Sequence, residues 1–255
     1  MQKPSNATPV PTECRHGLDE GLCDVCFPKS PVVTSAPARG AKRVATSASV
    51  KSSRPTTPAP NLLDQRVFHV THVRNLELIA GAAGLVAGEE PEVDLSSPLA
   101  RELRSTAEVS SGSPVSSHVP WYLSAEASVW DELRRGAADA RWSASARAVA
   151  SADLVVLVST VRTLGDVVVA DGDAAGTYTR FAAETDQTGR MLARLYGTDQ
   201  AKDAEVLVKG SVPFDAVQLI GVANDPARDR VRSILDAAGV RTKVVVYPPW
   251  FSADT

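Results

Sequence analysis

The stretch VFHVTHVRNL, Val67 to Leu76, decides how this 255-residue chain is read. RVFHVT (66–71) reads as a β-strand and NLELIAGAAG (75–84) as a short helix. His69, Thr71, His72 and Asn75 set a polar cluster inside this otherwise apolar passage. Buried polar groups without partners are costly, so the cluster marks a candidate site. Strand side chains alternate, which turns His69 and Thr71 one way and Val70 and His72 the other. Far along the chain, KDAEVLVKGSVP carries Glu205 at its centre. In alternation with Val206 and Val208, Glu205 is either the solvent-facing residue of a half-buried strand or the carboxylate of a site.

Working outward, VPWYL (119–123), DLVVLVST (153–160), DVVVA (166–170), AEVLVKG (204–210), QLIGVA (218–223) and TKVVVY (242–247) read as further strands. Helices are expected at 126–140 and 186–196. The clearest helix is PARDRVRSILDAAG, where Asp225 can cap, Pro226 fits the first turn and Gly239 closes the end. Val231, Ile234, Leu235 and Ala238 recur there at helical spacing. Several short strands interrupted by few helices predict an α+β fold. No GxGxxG follows a strand, so a Rossmann dinucleotide site is unsupported.

A hydrophobic content of 44% suffices for a core. No segment approaches the roughly 18 apolar residues of a membrane span, and the N-terminus lacks the apolar centre of a secretory signal. A soluble, cytoplasmic protein without membrane partners is expected. Charge divides the chain. Residues 29–60 hold Lys29, Arg39, Lys42, Arg43, Lys51 and Arg54 and no acid. That stretch, rich in Ser, Thr, Ala and Pro, is expected to be a disordered basic linker. Residues 61–255 carry 19 basic against 26 acidic residues, a balance of −7, which is not what non-specific DNA binding by phosphate neutralisation predicts.

Ahead of the linker, ECRHGLDEGLCDVCFP gathers all three cysteines, Cys14, Cys23 and Cys26, with His16. C-x-H-x6-C-x2-C supplies four soft ligands, and a C-x2-C turn presents two thiolates to one metal. The reading is a structural zinc-knuckle-like module at 1–28. Free thiols or a disulfide are the alternatives, although a disulfide leaves one cysteine over and suits an oxidising compartment. The expected domains are thus 1–28, the 29–60 linker and a catalytic domain at 61–255.

In order, HVTHVRNLELI, VDLSSPLARELRST (Val93 to Thr106), HVPWYLS (His118 to Ser124), VVVADGDAAGTYTRF (Val167 to Phe181) and KDAEVLVKGSVPF (Lys202 to Phe214) form a series. From about Val67 to Ile220 it resembles the DarT-type DNA ADP-ribosyltransferases, NAD-dependent enzymes usually found as toxins beside a macrodomain antitoxin. The resemblance implies a split β-sheet with flanking helices and NAD as co-substrate. It implies Glu205 as the catalytic glutamate, holding a ribose hydroxyl and helping to deprotonate the acceptor, and Arg104 as the residue that steadies the diphosphate or the departing charge through its planar fork of donors. It further implies that His72 and Asn75, with His69 and Thr71 as neighbours, contact NAD. Tyr122 or Trp121 could stack on nicotinamide or on the target base, and alternation lets only one of them face the cleft.

The function expected is mono-ADP-ribosylation of a base in single-stranded DNA, where no unpairing cost arises. Transfer to RNA or protein is the runner-up. An inactive zinc-containing adaptor that binds nucleic acid or protein is the alternative from outside the enzyme class.

Overall fold

The computed structural model describes residues 62–252. In chain order these form β1 (Arg66–His72), α1 (Asn75–Gly81), β2 (Gly84–Val86), α2 (Pro98–Thr106), β3 (His118–Tyr122), α3 (Ser128–Arg134), α4 (Ala144–Ala148), β4 (Leu154–Thr160) and α5 (Val161–Leu164). They continue with β5 (Val168–Ala170), β6 (Phe181–Ala182), α6 (Thr185–Leu195), β7 (Glu205–Lys209), β8 (Ser211–Pro213), β9 (Leu219–Val222), α7 (Asp225–Ala237) and β10 (Lys243–Val246). Eight strands form one sheet in the order β10-β9-β4-β1-β3-β7-β5-β6, and β2 pairs with β8 separately. The large sheet is antiparallel except for the β9–β10 pair. This is the α+β sheet with flanking helices that the sequence predicts.

The sheet is split between β1 and β3. β1 pairs along its whole length with β4, from Arg66 opposite Thr160 to His72 opposite Leu154, yet meets β3 at one rung, Phe68 opposite Tyr122. Pro120 explains the break. A residue in an antiparallel strand points its N–H and C=O to the same side, and the Pro120 carbonyl faces β1, where it bonds the His69 ring at 2.8 Å. Proline has no N–H to offer there, so the ladder stops and a side chain takes the place of a backbone donor.

Val67, Trp121, Leu157, Val206 and Ile220 pack the main core against Leu192, Leu195, Val231 and Leu235 of α6 and α7. A smaller cluster of Val109, Val115, Ala170, Ala174 and Leu207 covers the opposite face of β5 and β7. Between them these clusters bury both faces of β7, and with them its first residue, Glu205.

Some boundaries differ from the sequence reading. The helix expected at 126–140 stops at Arg134, because Gly136 and Ala137 take φ of 90° and 47°, and helix resumes only at α4. The cap of α7 is Asn224, whose side chain accepts from the Ala227 N–H at 2.9 Å, and Asp225 is the first helical residue. The segment expected to be helical to residue 84 breaks at Ala83, with φ of 58°, and Gly84 opens β2. A Cβ at Gly84 would sit 2.2 Å from the Val212 carbonyl oxygen, so only glycine permits β2 to approach β8. α2 went unpredicted although Ser97 caps it, accepting from the Ala100 N–H, and Pro98 opens it.

Candidate active site

α2 and β7 bring together Arg104 and Glu205. Arg104 Nη1 donates to Glu205 Oε1 at 3.0 Å and Nη2 donates to Oε2 at 2.6 Å. The Ala174 N–H adds a third bond to Oε1 at 3.0 Å. Glu205 is 1% exposed, which corrects the half-buried, solvent-facing alternative: α2 and the loop after β5 cover that face of the sheet. Burial opposes the Arg104 charge, but Glu205 beside it more than compensates, and the guanidinium stays protonated at any ordinary pH. A carboxylate offers about four acceptor positions. Three are filled, and the vacancy lies on Oε2.

Tyr122 sits directly across the ladder from Glu205. Burial, then the Glu205 charge, push its phenol well above the usual tyrosine range, so the hydroxyl remains a donor. Trp121 points the other way into the core and is fully buried. Alternation thus gives the site face to Tyr122.

The loop between β5 and β6 is pinned beside this pair. Asp171 accepts from the Arg180 N–H and from Arg194 Nη2, each at 2.8 Å. Asp173 lies 3.6 Å from Arg104 Nη1. At the far end of the loop Tyr178 is 94% exposed.

Where β1 and β3 separate, a cavity of about 280 Å³ opens. His69, Thr71, Asn75, Ser96 and His118, with Glu89 and Glu90, give its polar lining, and Leu78, Ile79 and Leu85 much of its apolar wall. The His69 Nδ1 faces the Pro120 carbonyl, which can only accept, so Nδ1 carries the proton. Burial lowers the His69 pKa below its ordinary 6.5 against the pull of that bond, leaving a neutral ring with a bare Nε2. Thr71 Oγ1 accepts from Asn75 Nδ2 at 3.1 Å and keeps its own O–H to donate.

Asn75 and His72 have partners within the protein. Asn75 Nδ2 donates to the Val93 carbonyl and Oδ1 accepts from the Val93 N–H, both at 2.8 Å, so the amide clamps the cavity's outer loop to α1. His72 is not among the lining residues. Its Nδ1 accepts from the Arg74 N–H at 3.1 Å, on the other face of β1, as alternation requires. His118 lines the cavity and was missed in the sequence, where the strand reading begins at Val119 and the HVPWYLS piece of the resemblance gives His118 no role. Its signal is its place two residues before Pro120.

Cys14, His16, Cys23 and Cys26 lie outside the described residues. Among the described residues, no group of three or more His, Cys, Asp or Glu could hold a metal ion. No helix among them is long and apolar enough to cross a membrane.

The family described as "ssDNA thymidine ADP-ribosyltransferase, DarT" matches residues 68–252, more than half of the chain. The chain belongs to the DarT family. That membership makes it an NAD-dependent ADP-ribosyltransferase. A "DNA ADP-ribosyl transferase" of Mycobacterium tuberculosis (strain ATCC 25618 / H37Rv) is 28% identical over 225 residues, covering 78% of this chain and 93% of the relative. Among solved structures, DarT of Thermus sp. 2.9 in complex with ADP-ribosylated ssDNA superposes with a TM-score of 0.64 at 18% identity, over 74% of this chain and 97% of that one. The same protein in complex with NAD+ gives 0.60 at 19% identity, over 74% and 98%. At these identities the structures speak for the fold, which is that of DarT.

Proposed function

We propose that this chain moves ADP-ribose from NAD to a thymine base of single-stranded DNA, with Glu205 and Arg104 as the catalytic pair. The observation that carries the reading is the buried Arg104–Glu205 pair, a carboxylate held by a two-pronged guanidinium with one acceptor position left on Oε2. Cleaving the nicotinamide–ribose bond sends the bonding electrons out with nicotinamide and leaves an oxocarbenium-like ribose. A fixed carboxylate stabilises that positive charge. The open position on Glu205 Oε2 accepts a ribose hydroxyl, and the same carboxylate takes the proton of the attacking base. Arg104 holds Glu205 in register and keeps cationic charge beside the diphosphate.

His69 and Thr71 are the dinucleotide contacts, one accepting through Nε2 and one donating through its hydroxyl. Asn75 acts by holding the loop at Val93, and Tyr122 by lying against Glu205. Tyr178, with Arg180 two residues on, is the platform for the acceptor strand. An exposed aromatic ring stacks on any base, and the nearby cation offsets the acidic balance of the domain.

Beyond the described residues, Cys14, His16, Cys23 and Cys26 form a structural zinc site, supported by ligand type and spacing. The DarT-type resemblance makes a macrodomain antitoxin the expected partner. Release of nicotinamide from NAD by the purified chain, raised by thymidine-containing oligonucleotides, tests the reading. NAD left intact in their presence would end it.

A further inference from the structure

We infer that His118 is a dinucleotide-binding residue, whose Nε2 accepts a hydrogen bond from a hydroxyl or amino group of NAD held in the split between β1 and β3. The inference rests on the reading that this cavity holds NAD, and adds a contact that neither the DarT-type motifs nor the pattern of the sequence assigns.

His118 opens β3 at the margin of the split and is 4% exposed. Its Nδ1 lies 3.1 Å from the Pro114 carbonyl and 3.2 Å from Ser117 Oγ. The Ser117 hydroxyl spends its proton on the same Pro114 carbonyl at 2.7 Å, so both neighbours of Nδ1 accept. Nδ1 therefore carries the hydrogen and Nε2 is bare. Burial first, with the charge of Lys209, holds the ring below its ordinary pKa against the bond it donates to the Pro114 carbonyl, and it is neutral near pH 7.

Nε2 makes no hydrogen bond within the protein, and it is not among the sealed, unpartnered polar atoms. His118 is among the residues that line the cavity. His69 repeats the arrangement from the facing strand, with Nδ1 committed to the Pro120 carbonyl. Thr71, which lines the same cavity, keeps a hydroxyl proton to donate. The bare Nε2 of His118 is instead met by a ligand group that brings a donor, not by a diphosphate oxygen, which has none to give. Ribose hydroxyls and the amino groups of adenine or of the carboxamide meet that demand. A nearly buried acceptor without a partner is costly, and a ligand donor removes the cost on binding.

Two substitutions separate this role from a structural one. Glutamine reaches to the position of Nε2 and restores an acceptor there, whereas asparagine reaches only to Nδ1 and restores the bond to Pro114. His118→Asn should raise the KM for NAD in nicotinamide release by about 2- to 10-fold, the worth of one hydrogen bond, with kcat and Tm little changed. His118→Gln should keep KM near that of the native protein at a lower Tm. A native KM in a folded His118→Asn protein, or an equal rise in both variants, overturns the inference. Absence of any saturable NAD turnover in the native chain would instead end the reading of the cavity itself.

Discussion

Arg104 and Glu205, 101 residues apart in sequence, meet in a two-pronged ion pair of 3.0 and 2.6 Å with Glu205 sealed from solvent. The pair is both chemistry and structure. Removing one partner of a fully buried pair costs about 3–5 kcal/mol, and less here because Arg104 keeps 20% side-chain exposure. Glu205→Gln should therefore lower kcat by about 10²–10³-fold and also lower Tm, by roughly 2–4 °C per kcal/mol lost. Steady-state kinetics and a melting curve on one preparation check both. A native Tm with lost activity would show that the pair does not stabilise the fold.

The second prediction concerns acid. Burial lowers the pKa of His69, His72 and His118 from 6.5. Unfolding restores the ordinary value, so below it the unfolded chain binds more protons than the folded one. The stability these rings contribute is fully present above pH 6.5 and is lost as pH falls through their folded values. Urea midpoints should drop between pH 7.5 and pH 5. NAD affinity should drop with them, because a protonated imidazole has no lone pair at Nε2. A flat urea midpoint across that range would contradict the buried neutral rings.

A third prediction follows from the clamp of Asn75 on Val93. Asn75→Ala removes the amide that satisfies both backbone groups of Val93, at a cost of about 1–3 kcal/mol for buried groups left unpaired. The outer loop of the cavity should then open, raising the KM for NAD more than it lowers kcat. Faster hydrogen exchange at the Val93 amide would report the release. An unchanged exchange rate would leave Asn75 free for the ligand.

The fourth concerns the acceptor strand. Tyr178→Ala removes an almost wholly exposed ring, so Tm should not move. Affinity for single-stranded oligonucleotides should fall by about 5- to 150-fold, the equivalent of about 1–3 kcal/mol per stacked base. The KM for NAD should be native. Fluorescence anisotropy with a labelled oligonucleotide measures it, and native affinity removes Tyr178 from the DNA path.

Much of this architecture is legible in the sequence, for identifiable reasons. β4 and β9 are runs of mostly branched apolar residues, β1 sets Val67, Phe68 and Val70 among polar ones, and α7 has a start, a stop and a buried stripe. β2, β6 and β8 are two or three residues long, too short for any period to register. Alternation tells that Tyr122 and Trp121 face apart. It does not tell that α2, from far off in the chain, covers the Glu205 face, and so the glutamate reads as half-exposed when it is sealed. His72 and Asn75 sit in the motif-bearing strand and helix, but the partners that occupy them, the Arg74 N–H and the Val93 backbone, are a matter of turn and loop geometry. The sequence reading reaches the split only through the resemblance, although one residue carries its signal. Pro120 inside an apparent strand announces a missing ladder bond.

Transfer of ADP-ribose to thymidine in single-stranded DNA through Glu205 is the central claim. Mass spectrometry of oligonucleotides incubated with NAD and the full chain tests it most directly, using a strand with one thymidine, the same strand without it, its RNA counterpart, and Glu205→Gln in parallel. The account predicts one added ADP-ribose on the thymidine strand with the native chain, and none on the other strands or with the variant. Equal modification of the thymidine-free strand, modification of RNA alone, or an undiminished product with Glu205→Gln would contradict it.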